Sequence, residues 1–156
     1  MTIRTFLVRV LYIIVRPIRK FYWFIILPKT YGVKVLIQHE NKFLFIRNAY
    51  GLKKWTFPGG GLKRGEAPEQ GGRREVFEEV GIVIKNILYM GDYQSSRLYK
   101  RDTIYGYYSI VDTPYFKIDS TEIEEAKWLS LDKIPKDYSW AVSDVLNLYT
   151  TWKKKN

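Results

Sequence analysis

The stretch from Gly60 to Ile82 constrains this chain most, because it joins a glycine-rich turn to a run of closely spaced glutamates. Glu75, Glu78 and Glu79 follow one another at helical spacing, so on an α-helix their carboxylates share one face. Carboxylates this close repel one another unless a cation lies among them. Hard divalent cations bind carboxylate oxygens together with waters and substrate phosphates. The spacing therefore predicts a divalent-metal site that acts on phosphate compounds.

The full spacing of this stretch supports a more specific interpretation. Gly60 is followed after five residues by Glu66, and Glu66 is followed after seven residues by the run REVFEEVGI. This arrangement matches every defined position of the Nudix box, so the chain resembles the Nudix hydrolase family. The resemblance is tight over the box and extends more loosely over residues 31–136.

The resemblance implies both a fold and an activity. The expected fold is α/β, a Nudix-like α/β/α sandwich with a mixed sheet. The expected activity is hydrolysis of the diphosphate linkage of a nucleoside diphosphate derivative by attack of water on phosphorus, with Mg²⁺ or Mn²⁺ as the cofactor. Glu75, Glu78 and Glu79 would hold the metal. The three consecutive glycines Gly59, Gly60 and Gly61, here called the glycine loop, would place the backbone carbonyl of Gly60 near it.

Other residues of the box are expected to support the site. Arg74 stands next to the acidic cluster and is predicted to orient a glutamate through a bidentate ion pair. Glu66 is predicted to tie down the loop rather than to bind the metal. Gly81 is a favourable residue for ending the helix.

A carboxylate is also needed to accept the proton of the attacking water, and Glu78 is one candidate. In Nudix proteins a glutamate outside the box, a few residues before a tryptophan-bearing strand, often supplies a metal ligand or the base. Its spacing to Trp128 favours Glu122 here, with Glu125 as the next choice. A solvated acidic turn is the alternative interpretation of these residues.

Substrate contacts are predicted in two places. Arg97, Lys100 and Arg101 belong to a polar, basic loop that either reaches substrate phosphates or faces water. Three aromatic residues are candidates for stacking on a nucleobase: Tyr50, Trp55 and Tyr105.

The composition excludes several other kinds of site. A chain of 156 residues has the length of one domain, and its 46% hydrophobic and 27% charged residues are typical of globular proteins. The absence of cysteine excludes disulfides, thiolate zinc sites and a cysteine nucleophile, and it agrees with a cytoplasmic location. The single histidine, His39, lies in a predicted surface turn, so histidine-based catalysis is not expected.

The net charge of +10 is concentrated at the ends of the chain. Residues 1–29 hold six lysines or arginines and no acid, and residues 153–155 add three lysines. The remainder carries 17 basic and 16 acidic residues and is nearly neutral. Basic ends on a neutral body favour contact with an anionic surface over nucleic-acid binding.

Residues 1–29 differ from the rest as an apolar and basic segment with helical spacing, ahead of an expected catalytic domain over residues 30–156. The apolar runs are too short to span a bilayer, and no signal cleavage site follows them. Two interpretations stay open. Residues 1–28 either make a peripheral membrane contact, or they pack on the domain or on a second subunit in a homodimer.

The periodicity also predicts the regular elements. Strands are expected over residues 31–38, 42–47, 82–89, 103–111 and 115–118, with helices from Pro68 to Gly81 and over residues 137–153. Gly71 and Gly72 each cost the first helix about 1 kcal/mol relative to alanine. The sequence alone therefore predicts that Gly72→Ala raises the melting temperature.

Two other classes of function remain open alternatives. A Nudix-like domain can serve as a catalytically silent nucleotide sensor, or the chain can be a membrane or protein interaction module that works through residues 1–29. The complete set of box glutamates favours the hydrolase.

Overall fold

A six-stranded mixed sheet carries one helix on each of its faces. The computed structural model describes Val15, residues 29–96 and residues 101–156. Apart from Val15 and Arg101, the predictions for residues 1–28 and for the basic loop at 97–101 lie outside the described residues. None of the described helices is long and apolar enough to cross a membrane. The elements are β1 (Lys29–His39), β2 (Lys42–Asn48), β3 (Trp55–Thr56), α1 (Pro68–Val80), β4 (Leu88–Ser95), β5 (Arg101–Ile110), β6 (Ile123–Leu129), a 3₁₀ turn (Leu131–Lys133) and α2 (Trp140–Lys153).

The centre of the sheet is the parallel pair of β1 and β5, which runs from Lys29 beside Arg101 to Gln38 beside Ile110. The other strand pairs are antiparallel: β4 pairs with β5, and β2 pairs with β1, β3 and β6. Strand β2 contacts β1 only at the hairpin end and then pairs with β3. The segment after β3 lies along the part of β1 that β2 does not pair with. There the carbonyl of Gly60 accepts a hydrogen bond of 2.9 Å from the N–H of Val33. The glycine loop is therefore attached to the middle of the sheet.

The alternating side chains of the strands build two cores, as expected for a sheet buried on both faces. Val33, Val35 and Ile37 of β1 pack with Val76 and Val80 of α1. On the other face, Leu36 belongs to a cluster with Phe45, Phe57 and three residues of α2, which are Val142, Val145 and Tyr149. The predicted α/β/α sandwich with a mixed sheet is confirmed.

Helix α1 begins and ends where the sequence predicts. Pro68 occupies its first turn, and no side chain caps its N-terminus at Ala67. Gly81 ends the helix in a left-handed conformation at φ 67°, and its N–H donates to the carbonyl of Phe77 at 2.9 Å. Helix α2 starts three residues later than expected, where the side chain of Ser139 accepts a hydrogen bond from the N–H of Ala141.

The strand predicted over residues 82–89 is wrong over residues 82–87, since β4 begins at Leu88. Ile82 and Ile84 are buried while Val83 is 74% exposed, which produces the alternation of a strand. The backbone does not pair with another strand here. Its carbonyl at Ile84 instead accepts a hydrogen bond of 2.5 Å from the guanidinium of Arg73 on α1. Arg73 thus supplies a hydrogen bond that a neighbouring strand would otherwise make.

The strand predicted over residues 115–118 is also wrong. Phe116 and Ile118 do alternate onto the α1 core, but the segment forms no ladder. The N–H of Lys117 donates to the carbonyl of Val80, at the end of α1. The segment therefore closes the C-terminal end of the helix rather than extending the sheet.

The two helix glycines are explained by close packing. Gly71 and Gly72 are both buried. A Cβ atom at Gly72 would lie 3.2 Å from Cγ2 of Val35, 3.3 Å from Cγ2 of Val33 and 3.4 Å from Cδ1 of Ile87. Both valines are buried on the central strand, so they have little room to move. The helix gives up intrinsic stability in order to approach β1 closely.

This contact reverses the expectation for Gly72→Ala. We expect the substitution to lower the melting temperature by about 2–4 °C, because overpacking against β1 outweighs the gain of about 1 kcal/mol in helix propensity. Thermal unfolding followed by circular dichroism measures the change, with Gln70→Ala as the control at an exposed position of the same helix. A clear rise in melting temperature would contradict this account.

Candidate functional site

The glycine loop and helix α1 are locked together at two adjacent positions. Gly59 adopts φ 128°, and a Cβ atom there would collide with the carbonyl oxygen of Val33. Its N–H donates to Oε2 of Glu79 at 2.8 Å. At Gly60 a Cβ atom would lie 2.5 Å from Oε2 of Glu75. Only glycines allow the loop to lie this close to the two carboxylates.

Arg74 connects most of the remaining charges of the site. Its Nε and Nη2 atoms bind the two carboxylate oxygens of Glu66 at 2.6 and 2.8 Å, which is a bidentate pair. Its Nη1 atom donates to Oε1 of Glu75 at 2.7 Å and to Oε2 of Glu78 at 2.9 Å. Its Nη2 atom also lies 3.2 Å from the carbonyl oxygen of Gly61. One guanidinium thus orients two glutamates of the helix and, through Glu66 and Gly61, attaches the loop to the helix.

Glu66 belongs to the loop rather than to the acidic cluster. Hydrogen bonds from Arg74 and from the backbone N–H of Lys63 lower the pKa of Glu66 to about 2. Its Oε1 atom accepts a hydrogen bond from Arg74 at 2.6 Å. Its Oε2 atom accepts one from Arg74 and one from the N–H of Lys63, each at 2.8 Å. This geometry supports the structural role expected for Glu66.

Glu79 is the buried member of the acidic set, with only 4% of its surface exposed. Burial raises the pKa of Glu79 to about 7, and the charges of Glu75 and Glu122 act in the same direction. The charge of Lys34 and the hydrogen bond from Gly59 oppose the rise. A further positive charge beside Glu79 would stabilise its ionised form.

The carboxylates do not converge on one point. Among the residues that the structure describes, no three acidic or histidine side chains are close enough to hold a metal ion. Glu75 and Glu78 turn toward Arg74, and Glu79 turns toward the loop. The donor set consists of carboxylate and carbonyl oxygens, which suit Mg²⁺ or Mn²⁺, and burial together with the neighbouring carboxylates raises the pKa of Glu79. These residues therefore fit a hard divalent cation in their chemistry.

Glu122 and Glu125, the two candidate acidic residues near Trp128, lie in different environments. Glu122 is exposed, yet partial desolvation raises its pKa, followed by the charges of Asp119, Glu75 and Glu78, so Glu122 lies within electrostatic reach of the box. Glu125 instead pairs with Arg47 at 2.8 Å and with Lys127 at 2.5 Å. Glu122 is the better placed of the two.

Two clefts share Lys34 in their lining, and one of them adjoins the glycine loop. The larger, of about 520 Å³, adjoins Gly60 and Gly61 and is lined by cationic residues that include Lys29 and Arg64. Arg101 is exposed at the start of β5, where it pairs with Lys29 in the sheet. Arg97 and Lys100 lie outside the described residues, so their predicted contacts with phosphate stay predictions.

The smaller cleft, of about 240 Å³, lies between the β2–β3 loop and the start of α2. Its lining includes Tyr50, Trp140 and Lys34. Of the three predicted stacking residues, Trp55 is 4% exposed in the α2 core and Tyr105 packs partly against the α1 core. Only Tyr50 therefore faces this cleft. Trp140 follows the apolar spacing of α2, which does not distinguish it from a core residue, and nothing in the sequence around Lys34 indicates a site residue.

Comparison with known proteins agrees with this geometry. A family model described as the NUDIX domain matches residues 28–148. The oxidized purine nucleoside triphosphate hydrolase of Danio rerio is 30% identical over 107 residues, covering 64% of this chain and 64% of that protein. The RNA pyrophosphohydrolase of Vibrio atlanticus (strain LGP32) is 40% identical over 56 residues, covering 36% of this chain and 33% of that protein. The chain thus spans less than two thirds of the length of the first relative and about one third of the second.

Solved structures share the fold. The MutT protein from Methanosarcina mazei Go1 superimposes with a TM-score of 0.69 and 26% identity, covering 83% of this chain and 96% of that chain. The MutT NUDIX hydrolase from Burkholderia pseudomallei gives the same TM-score at 20% identity, covering 77% of this chain and 97% of that chain.

The raised pKa of Glu79 predicts how stability depends on pH. Between its ordinary value of 4.5 and about 7, the folded protein holds a proton on Glu79 that the unfolded chain has lost. The free energy of unfolding of the metal-free protein should therefore fall as the pH rises from 5 to 7.5, by at most about 3 kcal/mol from this residue. Urea denaturation in the presence of a chelator measures it. Glu79→Gln should flatten the dependence, whereas Glu69→Gln, exposed on the same helix, should retain it. An equal slope in all three proteins would contradict the assignment.

Proposed function

The chain belongs to the Nudix hydrolase family, and on this premise we propose that it is a Mg²⁺- or Mn²⁺-dependent hydrolase of a nucleoside diphosphate derivative. The observation that carries this proposal is the packing of the glycine loop onto α1, which brings Glu75 and Glu79 against the loop while Arg74 orients Glu75 and Glu78. The bond cleaved is the diphosphate linkage of the substrate.

We assign the metal to Glu75, Glu78 and Glu79, with the carbonyl of Gly60 as a further oxygen. That carbonyl accepts one hydrogen bond from Val33 and keeps a second lone pair. Glu78 is half exposed and can exchange Arg74 for a cation at small cost. The bound ion would neutralise the diphosphate oxygens and lower the pKa of the attacking water.

The chain's own residues would complete the reaction. Water adds to a phosphorus atom, the bond from that phosphorus to the bridging oxygen breaks, and the proton of the water passes to a carboxylate. Glu122 and Glu78 are the proposed acceptors. The raised pKa of Glu122 supports it as the base, since a carboxyl group with a higher pKa is the better proton acceptor. Arg74 would act by orienting Glu75 and Glu78 rather than by contacting the substrate.

The nucleoside is proposed to bind in the smaller cleft, between Tyr50 and Trp140. Aromatic faces there suit stacking on a base, and Lys34 links this cleft to the glycine loop. The named relatives act on oxidized purine nucleoside triphosphates and on RNA, and both kinds of molecule present a base next to a phosphate chain. A substrate panel should therefore contain oxidised and ordinary nucleoside triphosphates, 5′-triphosphorylated RNA, ADP-ribose and dinucleoside polyphosphates.

The first test of the proposal is the substitution Glu78→Gln. It should lower kcat by at least about 100-fold on any substrate that the wild type hydrolyses, because a metal ligand or base is lost while the fold is kept. Released phosphate or pyrophosphate is measured with and without Mg²⁺. Glu69→Gln is the matched control, since it removes one glutamate charge from the same helix.

Two outcomes would redirect the assignment. Unchanged turnover in Glu78→Gln would remove that residue from the mechanism. A wild-type protein that binds Mn²⁺ and nucleotide but hydrolyses no member of the panel would favour the silent sensor.

The second test concerns the smaller cleft. Trp140→Ala should raise KM by about tenfold with little change in kcat, because base stacking is worth about 1–3 kcal/mol per base. Steady-state kinetics on the best substrate of the panel measures both constants. Trp152→Ala, on the same helix outside the cleft, is the comparison for a general loss of packing. An unchanged KM in Trp140→Ala would place the base elsewhere.

A further inference from the structure

Lys34 is a charged residue in the middle of the central strand. Its neighbours Val33 and Val35 face α1, so alternation turns Lys34 toward the face that α2 covers. There its Nζ atom donates to the carbonyl oxygen of Phe57 at 2.8 Å and to that of Gly59 at 2.6 Å. Within the described residues no carboxylate oxygen lies within 4.0 Å of this Nζ atom. Its partners are the carbonyls of the glycine loop.

Glu79 binds the same loop residue from the other face of the sheet. Its Oε2 atom accepts the N–H of Gly59 at 2.8 Å. The single residue Gly59 thus has both of its backbone polar groups bound by charged side chains, a cation at the carbonyl and a carboxylate at the amide. Its φ of 128° is a conformation that the loop holds only because glycine is present.

The charges of this arrangement depend on one another. Burial lowers the pKa of Lys34, and the negative charges of Glu79 and Glu75 act in the opposite direction. Lys34 in turn favours the ionised form of Glu79. A desolvated ammonium group is costly for a fold to keep. The position of Lys34 is therefore explained best by its hydrogen bonds to the loop carbonyls of Phe57 and Gly59.

We propose that Lys34 is a positioning residue for the hydrolysis, which fixes the Gly59 peptide together with Glu79 and so sets the path of Gly60 against the carboxylate of Glu75. Lys34 acts through the loop and need not contact the reacting phosphorus. The inference rests on the proposed function, and it adds a residue outside the box to the machinery of the site. A misplacement of about 1 Å at such a site can cost on the order of 100-fold in rate.

The first measurement does not need turnover. Lys34→Met keeps the length of the side chain but removes both donors and the charge. Amide hydrogen exchange followed by NMR in the metal-free, substrate-free protein should become at least about tenfold faster at Gly59, while amides of the α2 core keep their protection. Lys42→Met, which removes one positive charge from an exposed position of β2, is the matched control and should leave Gly59 unchanged.

The second measurement is kinetic. In Lys34→Met we expect kcat to fall at least tenfold while KM changes less than threefold, because the loop rather than substrate affinity is disturbed. Lys34→Arg keeps a cation with several donors and should recover part of both the Gly59 protection and kcat. A residue with a merely structural role would lower the melting temperature without this split.

The outcomes separate this proposal from the proposed function. If the Gly59 amide of Lys34→Met exchanges at the wild-type rate, Lys34 does not fix the Gly59 peptide, whatever the kinetics show. Faster exchange with unchanged kcat would overturn its part in the reaction. A wild-type protein without turnover would refute the hydrolase and with it the positioning role of Lys34 in the reaction, while the exchange data would still decide whether Lys34 holds the loop.

Discussion

The site depends on one close contact, the approach of the glycine loop to helix α1. Gly59 and Gly60 have no side chain, so the carboxylates of Glu79 and Glu75 lie directly against the backbone. The same requirement reaches the helix, where Gly72 lets α1 rest on β1. Intrinsic helix stability is weak here, because α1 lacks a side-chain cap and contains two glycines. The packing of the core and the ion pairs of Arg74 hold the helix in place.

Much of this arrangement follows from the sequence. The ends of α1 were predictable because Pro68 and Gly81 have well-defined preferences at helix ends, and both positions are observed as expected. The spacing of the glutamates indicated which side chains share a face. It could not indicate their rotamers, and Glu75 and Glu78 turn toward Arg74 rather than toward one another. Orientation depends on the nearest counter-charge, which a linear pattern does not contain.

The failures have a common physical cause, which is contact between residues far apart in sequence. Residues 82–87 alternate like a strand, but Arg73 binds their backbone at Ile84 in place of a neighbouring strand. Trp140 follows the apolar periodicity of α2, yet its position at the first turn also brings it to a cleft. Lys34 looks like a polar interruption of a buried strand until the loop at Phe57 and Gly59 is placed beside it. No local preference records such partners.

The parallel pairing of β1 with β5 has a consequence for how the molecule forms. Lys29 lies beside Arg101, so paired residues of the two strands are 72 positions apart in the chain. Contacts of such long range close slowly, because the loop entropy must be overcome before the pairing is rewarded. During synthesis β1 leaves the ribosome before β5 exists, whereas β2, the glycine loop and α1 all precede β5 in the chain. The loop that shapes the site is thus also among the first partners available to the central strand during folding.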